Sequence, residues 1–296
     1  MANFIMMIGL PGSGKSTAAK ELAEITGAKI FSSDTYRAIY GSGEEDQSKN
    51  AFIFQKLRED VMEALKNNKD VILDATNISI KSRRSWLNSL PKETFKQAYL
   101  VLASYETCLR QNAQRERHVP EFVIERMYKQ FQVPSLDEGF DMISTYYVDD
   151  YRFTIKDFFR QHNSDDQNNS HHTLTLGEHM RKAYKVFCES YFEDEEELKT
   201  AVLLHDIGKP FCKVFKDSKG NDTTEAHYFG HENVGAYDVL FLDTDLNVLR
   251  ISWFINHHMD PFNWTNNNAI KNWIAKWGLI NYENISKMHE VDLHAK

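Results

Sequence analysis

The octapeptide Gly9-Leu10-Pro11-Gly12-Ser13-Gly14-Lys15-Ser16 follows directly on the apolar run Phe4-Ile5-Met6-Met7-Ile8 and leads into Thr17-Ala18-Ala19-Lys20-Glu21-Leu22. An apolar strand, a glycine-rich bend and a helix start in that order make the phosphate-binding loop of an α/β sheet. The glycines let backbone N–H groups turn inward on a β-phosphate. Lys15 brings a mobile positive charge to the β/γ oxygens, and the Ser16 hydroxyl suits Mg²⁺. Gly9, Gly12, Ser13, Gly14, Lys15, Ser16 and Thr17 are therefore the expected contacts of a nucleotide, with ATP as phosphate donor and Mg²⁺ in the same site.

A chain of 296 residues has room for two domains, each with its own apolar core. The net charge of −8 argues against sequence-blind DNA binding, but the charge is unevenly placed. Residues 1–160 balance at 22 Lys+Arg against 22 Asp+Glu, whereas residues 161–296 hold 13 against 21. Most of the twelve histidines fall in that acidic half, a composition suited to divalent cations. Cys108, Cys188 and Cys212 lie far apart without CxxC spacing, so neither a disulfide framework nor a thiolate metal site is expected. No apolar run approaches a membrane span, and Met1-Ala2-Asn3 enters the first strand with no basic leader, so a cytoplasmic protein with no membrane partner is expected.

The stretch Gln161 to Ser170 lacks apolar residues and is rich in turn formers, which places a linker at 161–171 between domains at 1–160 and 172–296. Upstream, the runs Ala28–Phe31, Asp70–Asp74 and Ala98–Ala103 alternate with amphipathic stretches, as a parallel sheet with helices on both faces requires. Downstream the pattern predicts an all-α domain, with helices over 178–191, 195–205, 234–242 and 248–257.

Acceptor-side residues decide what a phosphate loop does. Asp34, in Ser32-Ser33-Asp34-Thr35-Tyr36-Arg37, follows the second strand and is placed to accept a hydroxyl proton; Arg37, one turn on, suits a phosphate of the acceptor. An Asp N-cap with a surface Arg is the other explanation of the same residues. Asp74 ends the third strand, where a carboxylate holds Mg²⁺ water or orients the acceptor. Arg110, Arg115 and Arg117 follow in a helical run, with Arg115 the expected lid over the β/γ-phosphates; a solvated basic helix face is the alternative. The set GLPGSGKST, SSDTYR, DATN and RQNAQRERHVP, over about residues 3–132, resembles the 5′-polynucleotide kinase family in order and spacing. That resemblance implies a P-loop pair at Lys15 and Ser16, a general base at Asp34, an acceptor-phosphate contact at Arg37, a strand-end aspartate at Asp74 and a lid arginine at Arg115. The family's first lid-helix arginine is replaced here by Gln111, with Arg110 beside it.

In the second half, His179 lies in a predicted helix, Ala201-Val202-Leu203-Leu204-His205-Asp206-Ile207-Gly208-Lys209-Pro210 ends another, and Asp292 lies near the last residue. Adjacent His and Asp on a last helical turn can lean toward one cation, with Gly208 and Pro210 stopping the helix so that the site opens to solvent. Imidazole and carboxylate without thiolate favour Mn²⁺, Fe²⁺, Co²⁺, Ni²⁺ or Zn²⁺. Such an ion supplies hydroxide near neutral pH and polarises a phosphoryl oxygen. Lys209 is placed to bind the same phosphate.

The H…HD…D pattern, with YKVF, LLHDIGKP, GHENVGA and HHMDP, resembles the HD phosphohydrolase superfamily over about residues 172–296. The resemblance implies metal ligands at His179, His205, Asp206 and Asp292, with His172, His231, His257 and His258 as candidates for a second metal or for phosphate. Kinase first and HD phosphoesterase second resembles bifunctional end-healing enzymes. Such an enzyme would phosphorylate 5′-hydroxyl RNA or DNA ends and remove 2′,3′-cyclic or 3′-phosphates, leaving both ends ready for a ligase. Two other readings fit the motifs. One is a small-molecule or toxin-type kinase fused to an HD nucleotide hydrolase, and the other is a kinase gated by a non-catalytic HD nucleotide sensor. A polynucleotide acceptor asks for a groove past Asp34 in which Arg37, with Lys81, Arg83 and Arg84, follows the strand's phosphates.

Overall fold

The computed structural model describes residues 2–41, 50–116, 118–170, 173–191 and 195–295. Packing divides the chain into two compact units, Met1–Met127 with Pro134–Asp150, and Tyr128–Val133 with Tyr151–Lys296. The linker expected at 161–171 is thus not where the packing changes. Residues from Tyr151 onward already count with the second unit, because Phe153 pairs its backbone with Phe241 and Asp243 there.

The first unit runs β1 (Asn3–Ile8), α1 (Lys15–Thr26), β2 (Lys29–Ser32), α2 (Ser33–Tyr40), α3 (Asn50–Lys66), β3 (Val71–Asp74), α4 (Ile80–Leu87), β4 (Phe95–Leu102), α5 (Tyr105–Ala113), α6 (Glu121–Tyr128) and β5 (Met142–Tyr147). The strands form one parallel sheet in the order β2-β3-β1-β4-β5. A parallel strand buried on both faces must be apolar throughout, which is why Phe4–Ile8 shows no alternation. Ile5 and Met7 pack with Ala18, Ala19, Ile72 and Val101. On the opposite face Phe4 stacks on Trp86, with ring centres 6.1 Å apart. The edge strand β5 was not expected; its Ser144-Thr145 centre and partly exposed faces carry little apolar signal. The carboxyl ends of β1, β2 and β3 carry the phosphate loop, the Asp34 helix and Asp74. Ser32 and Asp74 are register partners, so Asp34 starts beside Asp74.

The second unit contains α7 (Ile155–His162), α8 (Leu176–Ser190), α9 (Glu196–Leu204), α10 (Lys209–Cys212), a hairpin of β6 (Val214–Lys216) and β7 (Asp222–His227), then α11 (His231–Val239), α12 (Val248–His257), α13 (Asn267–Trp277) and α14 (Leu279–His294). The expected α/β domain followed by a helical one is borne out, and the hairpin is an addition to it. Asp217 turns that hairpin by accepting the N–H groups of Lys219 and Asn221, with Gly220 at φ +86. Thr175 caps α8 by exchanging hydrogen bonds with Glu178, which starts the helix before the predicted 178.

Arg83 departs most from expectation. Instead of following an acceptor strand, its guanidinium is fully buried and clamps Glu138 at 2.8 Å (Nε to Oε2) and 2.7 Å (Nη2 to Oε1) while donating to the Asn77 carbonyl at 3.0 Å. Arg84 donates to the Asp137 carbonyl. Removing one partner of such a pair strands a buried charge, typically at about 3–5 kcal/mol. Arg83→Ala is expected to lower the denaturant midpoint of the first unit accordingly, and Arg83→Met with Glu138→Leu should recover most of it.

Candidate functional site

The phosphate loop takes its shape from contacts that leave no room for side chains. Gly12 and Gly14 lie at φ +80 and +86. A Cβ on Gly12 would strike the Cys108 carbonyl oxygen, and one on Gly9 would stand 2.5 Å from that of Val101. Lys15 is buried and its Nζ donates to the Leu10 carbonyl at 2.6 Å. Burial lowers the Lys15 pKa to about 8, against the opposing pull of the Asp74 carboxylate. Ser16 Oγ donates to Asp74 Oδ2 at 2.8 Å, so a hydroxyl and a carboxylate, the hard oxygen donors that Mg²⁺ takes, meet at the start of α1. Ser13 Oγ is buried without a hydrogen-bond partner.

Ser32, not Asp34, occupies the N-cap of α2, so the capping explanation of Asp34 does not hold. Arg37 Nη1 instead pairs with Asp34 Oδ1 at 2.9 Å. The charges of Asp34 and Arg115 both act on the Lys15 ammonium, Arg115 lowering and Asp34 raising its pKa, which brings the three predicted residues into one electrostatic neighbourhood. Arg115 lies exposed just past the end of α5. Arg110 is tied back to Thr107 of its own helix at 3.0 Å, and Arg117 lies outside the described residues.

The second unit gathers His179 from α8, His205 and Asp206 from the end of α9, His231 from α11, His258 just after α12 and Asp292 from α14. His179 Nε2 stands 3.2 Å from Asp206 Oδ2 and 3.1 Å from Asp292 Oδ1, and His205 Nε2 stands 3.3 and 3.4 Å from the same oxygens. On the other side of Asp206, His231 Nε2 is 3.3 Å from Oδ1 and 3.2 Å from His258 Nε2. Asp206 therefore belongs to two sets, His179-His205-Asp206 and Asp206-His231-His258, in each of which the donor atoms lie within 4.8 Å of one another.

The imidazoles are oriented from behind. His205, His231 and His258 point Nδ1 at the carbonyls of Val202, Tyr228 and Ile255 at 2.8, 2.8 and 2.7 Å, which leaves each Nε2 lone pair facing inward. Burial opposes an imidazolium at His205, but Asp206 and Asp292 outweigh it and raise the pKa to about 10. Burial together with His231 and His205 lowers the His258 pKa to about 3, so its imidazole stays neutral. Asp206 Oδ2 is buried with the Lys209 ammonium at 2.7 Å and Nε2 of His179 and His205 at 3.2 and 3.3 Å, and these groups hold its carboxyl well below the usual carboxylate range against the cost of burial. Imidazole nitrogens converging on buried carboxylate oxygens are the donor chemistry that fits a divalent cation, which would take the place of the protons that His179 and His205 hold against Asp206 and Asp292.

Three expectations change here. His179, His205, Asp206, His231 and His258 are buried rather than opened by a helix stop, and Asp292 is the partly exposed member of the cluster. Pro210 lies in the first turn of α10 rather than ending a helix, and Gly208 keeps ordinary helical backbone but leaves room where a Cβ would strike the His231 carbonyl oxygen. His257 is not part of the cluster: its Nδ1 bonds Asp260 at 2.7 Å and its ring packs on Trp253 and Trp277. His172 lies outside the described residues. Lys209 is buried and donates to Gln167 Oε1 at 2.8 Å, while Tyr228 lies beneath its ammonium and donates to the Gln167 carbonyl at 2.5 Å. Gln167 sits within the stretch read as linker, and a single buried polar residue there leaves no pattern that sequence can show.

Comparison with known proteins matches each half to a domain model. Residues 4–134 match the model of the AAA domain and residues 169–290 that of the HD domain. The first half is similar to the bifunctional polynucleotide phosphatase/kinase of Schizosaccharomyces pombe, 26% identical over 142 residues that cover 46% of this chain and 31% of that protein. It is also similar to the L-seryl-tRNA(Sec) kinase of Methanococcus maripaludis, 29% identical over 144 residues, 47% of this chain and 56% of that one. The chain thus spans about a third and about half of these two relatives. Among solved structures, a chain of the Pnkp1/Rnl/Hen1 RNA repair complex is 24% identical over 44% of this chain and 43% of its own, with a TM-score of 0.41. The resemblance to P-loop kinases and HD proteins drawn from the motifs stands, and the expected ATP, Mg²⁺ and divalent-metal classes go with these two families. No described helix is long and apolar enough to cross a membrane.

Two outcomes are expected. Titration of metal-free protein with Mn²⁺ under calorimetry should give two sites per chain, reduced to one in His231→Ala and to weak residual binding in Asp206→Ala. The charged form of Lys15 declines as pH rises through about 8, so affinity for ATP, measured by equilibrium binding, should fall above that pH by up to about tenfold per unit.

Proposed function

We propose that this chain prepares broken polynucleotide ends for joining: the first unit phosphorylates a 5′-hydroxyl of RNA or DNA from ATP, and the second removes a 2′,3′-cyclic or 3′-phosphate. The observation that supports the kinase half most is the Asp34–Arg37 pair at the same sheet edge as Ser16 and Asp74. Asp34 takes the proton of the 5′-hydroxyl as its oxygen attacks the γ-phosphorus and ADP leaves. Arg37 holds that carboxylate in place while its remaining N–H groups face the acceptor's phosphate. Lys15 and Arg115 meet the charge that develops on the transferred group. Mg²⁺, held by Ser16 and Asp74, supplies neutralisation of the β/γ oxygens when bound.

In the second unit His179, His205, Asp206 and Asp292 form one ligand set and His231 and His258 extend it. A divalent ion of the Mn²⁺, Fe²⁺, Co²⁺, Ni²⁺ or Zn²⁺ class supplies activated water and phosphoryl polarisation there. Lys209, held between Asp206 and Gln167, fixes the bridging carboxylate, and release of that contact frees its ammonium for phosphate. Similarity to a kinase named for seryl-tRNA favours a second reading, in which the acceptor is a hydroxyl other than a polynucleotide 5′ end, such as that of a seryl group carried on tRNA.

Labelled ATP with a 5′-hydroxyl oligonucleotide separates these readings. Transfer should occur and drop by about 10²–10⁴ in Asp34→Ala. Transfer to a nucleoside or sugar but not to the oligonucleotide would sink the polynucleotide assignment. With a 2′,3′-cyclic-phosphate RNA and Mn²⁺ or Ni²⁺, terminal phosphate should be released and Asp206→Ala should stop it while leaving the kinase intact. Ligand binding without turnover under any metal would make the second unit a sensor instead.

A further inference from the structure

Next to Asp34, helices α2 and α3 present aromatic side chains that the apolar core does not use. The Tyr36 and Tyr40 rings are 5.7 Å apart, and Tyr40 meets Phe52 edge-on at 6.1 Å. Phe52 and Phe54 are 55% and 37% exposed, and Ile39 beside them is 63% exposed. The Arg37 guanidinium lies 5.5 Å from the centre of the Phe54 ring while its Nη1 holds Asp34. Tyr36 is anchored from the far side, its hydroxyl donating to Asp60 Oδ2 at 2.6 Å, and Lys56 neutralises that carboxylate at 2.8 Å.

Leaving large apolar rings in water is unfavourable unless something covers them. The shelf is one guanidinium away from the proposed base, so its occupant is continuous with whatever Asp34 acts upon. Its chemistry combines aromatic rings with a cation over the face of one of them, a combination that binds single-stranded nucleic acid when bases stack on the rings and the cation meets the backbone.

We propose that the Phe52–Phe54 shelf stacks the bases of the acceptor's first nucleotides, with Arg37 joining the stacked base to the phosphate beside it. This rests on the polynucleotide-kinase assignment and makes the acceptor an unpaired 5′ end, recognised by stacking and without base preference. Arg37 then has two duties in one position, which a lysine, having no flat face, does not fill.

The test uses the full chain and a single-stranded 5′-hydroxyl oligonucleotide carrying 2-aminopurine as its second base. Stacking quenches that fluorophore, so wild type should quench it on binding and Phe54→Ala should not. Phe54→Ala should raise KM for the oligonucleotide about tenfold, with kcat and KM for ATP unchanged, and Phe52→Ala should behave alike to a smaller degree. On an oligonucleotide whose first two positions are abasic, wild type and Phe54→Ala should share one KM. Unquenched wild type, equal KM values on the intact oligonucleotide, or a Phe54→Ala defect that persists on the abasic one would each overturn the proposal. Because quenching is read at equilibrium without ATP, it reports on the shelf even if no transfer to the oligonucleotide occurs, a result that would count against the kinase assignment alone.

Discussion

Charge taken out of water has to be answered by charge or by hydrogen bonds, and this constraint governs both units of the chain. In the first, Arg83 and Glu138 meet without exposure, and Lys15 is buried against the Leu10 carbonyl with the Asp74 carboxylate supporting its ammonium. In the second, Asp206 is buried among His179, His205, His231 and Lys209. The two kinds of site differ in composition. Arg83 and Glu138 complete each other and hold structure. Asp206 instead gathers several nitrogens from four helices around one carboxylate, with Nδ1 of His205, His231 and His258 turned to backbone carbonyls, the arrangement of a donor set that a divalent cation fits.

The phosphate loop works by the same logic through backbone. Its N–H groups are donors that no side chain may cover, hence glycine at Gly9 and Gly12, where a Cβ would meet the carbonyls of Val101 and Cys108. Those carbonyls come from β4 and α5, far along the chain, so the loop's shape depends on the whole sheet being in register. Gly208 repeats the lesson in the helical unit, needed for a close approach to α11 rather than for an unusual dihedral angle.

Local patterns made much of this legible. The apolar run, the glycines and Lys15-Ser16 predict a strand, a bend and a helix because each step is written in adjacent residues, and α12 spans the predicted 248–257. The cluster of His179, His205-Asp206 and Asp292 was legible only through motif resemblance, since these residues carry no periodicity of their own. What sequence misread were residues of ambiguous chemistry. Arg83 looks like Arg84 or Lys81 until Glu138 is seen beside it, His257 looks like His258 until one faces Asp260 and the other His231, and Gln167 looks like linker until Lys209 reaches it.

The sequence by itself determined that a phosphate loop opens an α/β domain and that a helical, histidine-rich domain follows, because strand and helix periods and glycine requirements act over a few neighbouring residues. Only the tertiary structure decided that Asp206 lies between two clusters of His donors, that Asp34 is paired with Arg37 rather than capping its helix, and that Arg83 belongs to the core. Each of these depends on the distance between groups tens of residues apart in the chain or on which way a side chain leaves its helix. Electrostatic energies change steeply with both, and neither is written in the order of the residues.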